Sequence, residues 1–188
     1  MSNLSAANGL SPVRHMNGGV IRLEQMSIAS AYGTNLFQGD AVRSTGTADN
    51  IQVATASADI VGVFAGCQYV AANGDVVFSN RWVASTATLG SADAIAWVYS
   101  DPYLVFRAQI TTVAAADVGT FADLVLGAGN ASTGISGFTV VLAGDQFRVL
   151  RLAREPSGIA LSEYGSNAKV ELQCIRHERF NATLATAV

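Results

Sequence analysis

Residues 95–110, IAWVYSDPYLVFRAQI, constrain the fold more than any other stretch of the chain. Ile95, Trp97 and Tyr99 alternate with Ala96, Val98 and Ser100, the period of two that belongs to a pleated strand. Asp101-Pro102 then interrupts the ladder, because proline has no N–H to donate and biases the residue before it toward extended geometry. Beyond it, Leu104, Phe106, Ala108 and Ile110 point one way and Val105, Arg107 and Gln109 the other. The run is too rich in aromatic and β-branched residues for a loop and too short for a helix. It predicts two short strands at the centre of a β core, with the flanking chain paired against them.

The same signals recur on both sides. Ile21, Leu23 and Gln25 alternate with Arg22, Glu24 and Met26; residues 35–42 come next, with Gly39-Asp40 as a turn or bulge, and residues 51–54 form a brief strand. Residues 60–69, IVGVFAGCQY, read as a buried strand whose Gly62 and Gly66 mark a bulge or the close approach of another backbone. Asn73-Gly74-Asp75 between apolar runs is the strongest hairpin signal, and 76–84 is its return strand. Residues 117–126 carry a turn and a short strand, 127–137 a glycine-rich loop, and 138–142, 147–152 and 168–177 three further strands. No apolar stripe of helical period lasts beyond one turn. About ten short strands spaced by Gly, Asn and Asp turns predict an all-β fold, a single barrel or sandwich of jelly-roll or tulip-like type. Residues 1–19, rich in Ser, Asn, Ala and Gly, read as an extended N-terminal arm that orders on a partner, and 20–188 as the β domain.

Only 13% of the 188 residues are charged, against roughly 25% in an ordinary soluble domain, which points to a surface partly facing other protein. A single lysine, Lys169, stands with ten arginines, the cation better suited to interfaces. Net charge is −3 with no basic cluster in the sequence, which argues against a nucleic-acid surface, and no apolar run approaches a membrane span. Cys67 and Cys174, far apart and without CxxC spacing, read as small buried hydrophobes, in keeping with a reducing cytoplasm.

Chemistry is hard to assemble from these residues. GAGNASTGISG (127–137) lacks the Gly-Lys-Ser/Thr ending of a phosphate loop and reads as a flexible surface loop. His15 and His177 have no metal-ligand spacing, and His177 reads as a surface or interface histidine. No serine sits in a nucleophile elbow. Asp117 and Asp123, six apart, fit turn chemistry better than a carboxylate pair. Arg148, Arg151 and Arg154, at spacing three, read as a solvated or subunit-facing edge. The expectation is a protein without enzymatic activity and without a cofactor. Trp82, Trp97, Tyr99 and Tyr103 are either core residues or the stacking faces of a carbohydrate-binding β-sandwich.

The order of short motifs resembles the tailed-phage capsid cement, or head decoration, proteins. Those motifs are Pro12-Val13-Arg14-His15 with Asn17-Gly18, Gly39-Asp40-Ala41-Val42, Val61-Gly62-Val63, Trp97-Val98 with Asp101-Pro102, and Val105-Phe106 with Gln109. Val118-Gly119, Thr133-Gly134-Ile135-Ser136-Gly137, Arg148-Val149-Leu150 and Asn167-Ala168-Lys169 through His177 complete the set. Arg107 stands where the family pattern carries an acidic residue, and the two cysteines lie outside it. The resemblance implies a virion protein that binds the outer surface of an icosahedral shell, assembled in the host cytoplasm, and stabilises the expanded state. It implies the major capsid protein as partner, self-association as a homotrimer or homodimer, and no nucleic acid or membrane. The interface candidates it implies are Pro12, Val13, Arg14, His15, Asn17, Asp101, Arg107, Gln109, Arg148 and Arg151. A minor head or tail component is the alternative on the same particle.

Overall fold

A computed structural model describes residues 3–47, 49–154 and 162–180. The chain is all-β. Its strands run β1 (Ser11–His15), β2 (Glu24–Ile28), β3 (Leu36–Phe37), β4 (Ala41–Ser44), β5 (Ile51–Val53), β6 (Gly62–Val70), β7 (Val76–Ser79) and β8 (Arg81–Trp82). They continue with β9 (Ala94–Tyr99), β10 (Leu104–Gln109), β11 (Thr112–Val113), β12 (Phe121–Val125), β13 (Thr139–Val141), β14 (Phe147–Leu152), β15 (Gly165–Ser166) and β16 (Lys169–Cys174). One antiparallel sheet has the order β1-β10-β16-β14-β12-β13; the other runs β2-β9-β6-β4-β5 with β7 paired to β6. Two-stranded ribbons β3-β8 and β11-β15 complete the architecture.

The two sheets pack in a sandwich-like way. Leu104, Phe106, Val149, Val170 and Leu172 of the first sheet share a core with Ala41 and Val63 of the second. A second cluster lies on the opposite face of the second sheet, where Phe64, Ala96 and Val98 pack against Leu36 and Trp82 of the β3-β8 ribbon. The first sheet curls far enough for the Thr111 amide to reach the Val140 carbonyl at 2.9 Å, a single bridge and not a ladder. No closed barrel forms among the described residues.

The two strands of residues 95–110 lie inside their sheets as expected, but in different ones: β9 pairs with β2 and β6, β10 with β1 and β16. Asp101-Pro102 is therefore a crossing between sheets and not the turn of a hairpin. The hairpin at Asn73-Gly74 forms between β6 and β7, with Gly74 at φ 92°. Gly62 and Gly66 meet their expectation. A Cβ on Gly62 would stand 2.5 Å from the Tyr99 carbonyl oxygen, and the β6-β9 register shifts between Phe64 and Gly66. Cys67 and Cys174 are free and buried, and burial pushes both thiols up to about 12.

Four expectations need correction. The stretch 1–19 is extended but does not stand off the domain: β1 is the edge strand of the first sheet, and Leu10 is buried in the main core. The Asn3 side chain bonds the Glu163 and Ser166 carbonyls, and the Ala6 amide donates to Gln109 Oε1 at 2.7 Å. These contacts place residues 3–15 within the domain; residues 1–2, like 155–161 and 181–188 of the expected domain, lie outside the described residues. Secondly, the strand expected from residue 20 begins only at Glu24. Thirdly, His177 is buried: its backbone bridges to Ile60, and the Phe180 ring stands edge-on to its own. Burial, with the Arg179 charge beside it, holds its pKa below the usual histidine value. Lastly, the loop 127–137 is clamped. Ala128 and Gly137 backbones touch so closely that a Cβ on Gly137 would lie 2.1 Å from the Ala128 carbonyl oxygen, and Gln38 bonds both Gly134 and Ser136.

Candidate interaction surface

The outward face of the first sheet is built by the pairing of five strands. Opposite residues in an antiparallel pair share a face. Arg107 of β10 stands opposite Glu171 of β16, and Glu171 opposite Arg151 of β14. In the next row Arg14 of β1 faces Val105, Val105 faces Gln173, Gln173 faces Arg148, and Arg148 faces Phe121 of β12. Since Phe106, Val149, Val170 and Leu172 fill the core, these residues project the other way.

Two β-bulges aim the arginines. Pro12 pairs with Phe106 and Arg14 with Val105, so Val13 is the extra residue on β1. Proline has no N–H for the ladder and is at home at such an edge. On β14 Val149 pairs with Leu172 and Arg151 with Glu171, which leaves Leu150 extra. Strict alternation from core residues Phe147 and Val149 would turn Arg151 inward; the bulge turns it out. Both arginines converge on Glu171 Oε2, Arg14 Nε at 3.3 Å and Arg151 Nε at 2.9 Å. The Glu171 side chain is 2% exposed, while those of Arg14 and Arg151 are 40% and 41% exposed. Each arginine thus spends its Nε on the buried carboxylate.

Other candidates sit at the ends of this face. His15 Nδ1 accepts the Asn17 and Gly19 amides, both at 3.1 Å, so the ring proton belongs on Nε2, which donates to Asp101 Oδ2 at 3.1 Å. Asp101 Oδ1 accepts the Tyr103 amide at 2.8 Å. His15, Asn17 and Asp101 therefore lock the end of β1 to the crossing between sheets. Gln109, expected at the interface, is buried beneath residues 6–9. Its Nε2 donates to Asn167 Oδ1 at 3.1 Å, and Lys169 Nζ donates to its Oε1 at 3.3 Å and to the Ala6 carbonyl. Burial, with Arg107 nearby, holds the Lys169 pKa below its usual value. Arg148 Nε donates to the Gly119 carbonyl at 3.1 Å, and Arg107 is exposed and makes no ion pair with a described residue.

The sequence reading missed Glu171 as the centre of this arrangement. Its signal is one acid on the polar side of AKVELQC, opposite Val170 and Leu172. Asp117 and Asp123 do serve turns: Asp117 accepts the Ala114 amide, and Asp123 accepts the amides of Asp145 and Gln146 and the Ser57 hydroxyl. Of the four aromatics proposed as stacking faces, Trp82 is fully buried and Tyr103 is exposed. Among the described residues no group of three or more His, Cys, Asp and Glu side chains is placed to hold a metal ion. Comparison of the chain with protein-family models, curated proteins and solved structures found no match.

Proposed function

We propose that this chain is a capsid cement protein, binding the outer surface of an icosahedral phage shell through the outward face of its first sheet. One observation carries the reading. Motif segments separated by as many as 150 or so residues of sequence, Pro12–His15, Val105–Gln109, Arg148–Leu150 and the strand from Lys169, lie on the four adjacent strands β1, β10, β14 and β16. Packing of the core requires only their inward residues. The outward arginines have no such task, and their convergence on one face supports a surface for a protein partner.

The work of such a protein is mass action. A chain that binds the expanded shell and not its precursor stabilises the expanded state by its differential affinity. Each junction can be of ordinary size, because many copies act on one particle. Self-association around a shell axis, as a trimer or dimer, fits the same reading. A minor head or tail component would use the same face at far lower copy number. The carbohydrate alternative loses Trp82 to the core.

Co-sedimentation tests the proposal. The wild-type protein pellets with expanded shells and not with procapsids. Arg14→Ala leaves the fold intact, since Arg151 still pairs the buried Glu171 carboxylate at 2.9 Å, and weakens pelleting about tenfold. Equal binding to both shell forms, or none to either, would overturn the reading.

A further inference from the structure

We infer that the outward face of the first sheet is a receptor for carboxylates, and that its partner presents a cluster of Asp and Glu side chains. The inference rests on the capsid-interface reading and adds the chemistry of the partner. The strands β1, β10, β14 and β16 carry five cations, Arg14, Arg107, Arg148, Arg151 and Lys169, on a chain whose net charge is −3. Their only carboxylate is Glu171, and it is buried.

The buried carboxylate does more than neutralise. By taking the Nε atoms of Arg14 and Arg151 it orients two guanidinium forks whose terminal nitrogens bond no described residue and can meet a second, bidentate acceptor. Across the sheet, side chains in one row are about 4.8 Å apart per strand, so Arg107 and Arg151 flank Glu171 at roughly twice that spacing. Neighbouring carboxylates on a partner surface can match that spacing. Beside Arg107 a cleft of about 290 Å³, lined by Asn8, Gly9, Ser11, Gln109 and Lys169, offers room for one further acidic side chain.

Phosphate polymers share the charge but fit less well. Glu171 sits at the centre of the basic face, and Phe121 is the one exposed aromatic ring in its rows, where a nucleic acid would find little to stack on. The observations favour an acidic protein surface.

The test is a fluorescence-anisotropy titration of the full chain with labelled poly-L-glutamate and, separately, labelled single-stranded DNA of equal charge. The expected result is salt-dependent binding of poly-L-glutamate in preference to DNA, weakened at least about tenfold in the double variant Arg107→Ala/Arg151→Ala. Arg22→Ala, outside this sheet, leaves it unchanged. Circular dichroism confirms that the variants are folded; Arg107→Ala alone, at an exposed side chain, gives the same direction if the double variant is not. Tighter binding of DNA, or poly-L-glutamate binding indifferent to Arg107 and Arg151, overturns the inference. Its failure is separable from that of the capsid reading. Poly-L-glutamate binding without shell pelleting removes the shell and keeps the acidic partner; shell pelleting unchanged by both arginine variants does the reverse.

Discussion

Glu171 and Asp40 are both buried carboxylates, and their surroundings make them opposites. Glu171 has two guanidinium groups within bonding distance. Asp40 makes no ion pair with a described residue: its Oδ2 accepts the Phe37 amide at 2.8 Å, and burial pushes its pKa up to about 6 from an ordinary 3.8. The folded protein therefore keeps the Asp40 proton over a range where the unfolded chain has already lost it. Stability that Asp40 leaves intact at pH 4 falls as the pH rises toward 6 and stays reduced above it. Asp40→Asn, which retains an oxygen for the Phe37 amide, is predicted to raise stability at pH 8 by about 2 kcal/mol relative to wild type and to change it little at pH 4. Urea denaturation at the two pH values measures this; an equal effect at both would contradict the assigned cause. His177, buried with a lowered pKa, works in the other direction, since the unfolded chain takes up its proton first as the pH falls.

At the level of strands and loops, alternation and turn chemistry made much of the architecture legible. The hairpin at Asn73-Gly74, the two glycines of β6 and the inward set Leu104, Phe106, Ala108 and Ile110 are dictated directly by period and residue type. Bulges were not legible, because an extra residue leaves no mark in composition. Val13 and Leu150 reverse the facing of the residues C-terminal to them, and the convergence of Arg14 and Arg151 on Glu171 depends on both reversals. Nor could alternation show that β9 and β10 belong to different sheets, which depends on long-range pairing with β2 and β16. The glycine-rich stretch 127–137 was misread as flexible because glycine serves close packing as well as freedom. A Cβ on Gly127 would lie 2.1 Å from the Gly137 carbonyl oxygen. Gly127→Ala is therefore predicted to destabilise the fold by about 3 kcal/mol through backbone displacement, read as a lowered denaturation midpoint. A tolerated alanine there would show that the loop is not clamped.

Across the whole molecule, the middle of the second sheet packs against the first sheet on one face and the β3-β8 ribbon on the other, while its β7 edge leaves Val76 and Phe78 exposed. The first sheet has one face in the core and turns the other outward with its arginines. The cations Arg14, Arg107, Arg148 and Arg151 on that outward face support assigning the partner to the first sheet. The N-terminal residues 3–15 add to it: instead of reaching across a neighbour, they build the edge strand and roof the end of the same face at Gln109 and Lys169. Under the proposed function, binding needs no folding of an arm, only many copies set on the shell.

Counting those copies on the particle is the decisive test of the cement reading. On the proposed function, quantitative mass spectrometry of density-banded phage particles from the source of the chain, referenced to the major coat protein, gives the ratio. A cement protein is expected at on the order of one copy for every one to three coat subunits, as repeated occupation of symmetry-related sites requires. A handful of copies per particle would place the chain in a tail or vertex, and its absence from the particle would contradict the account outright.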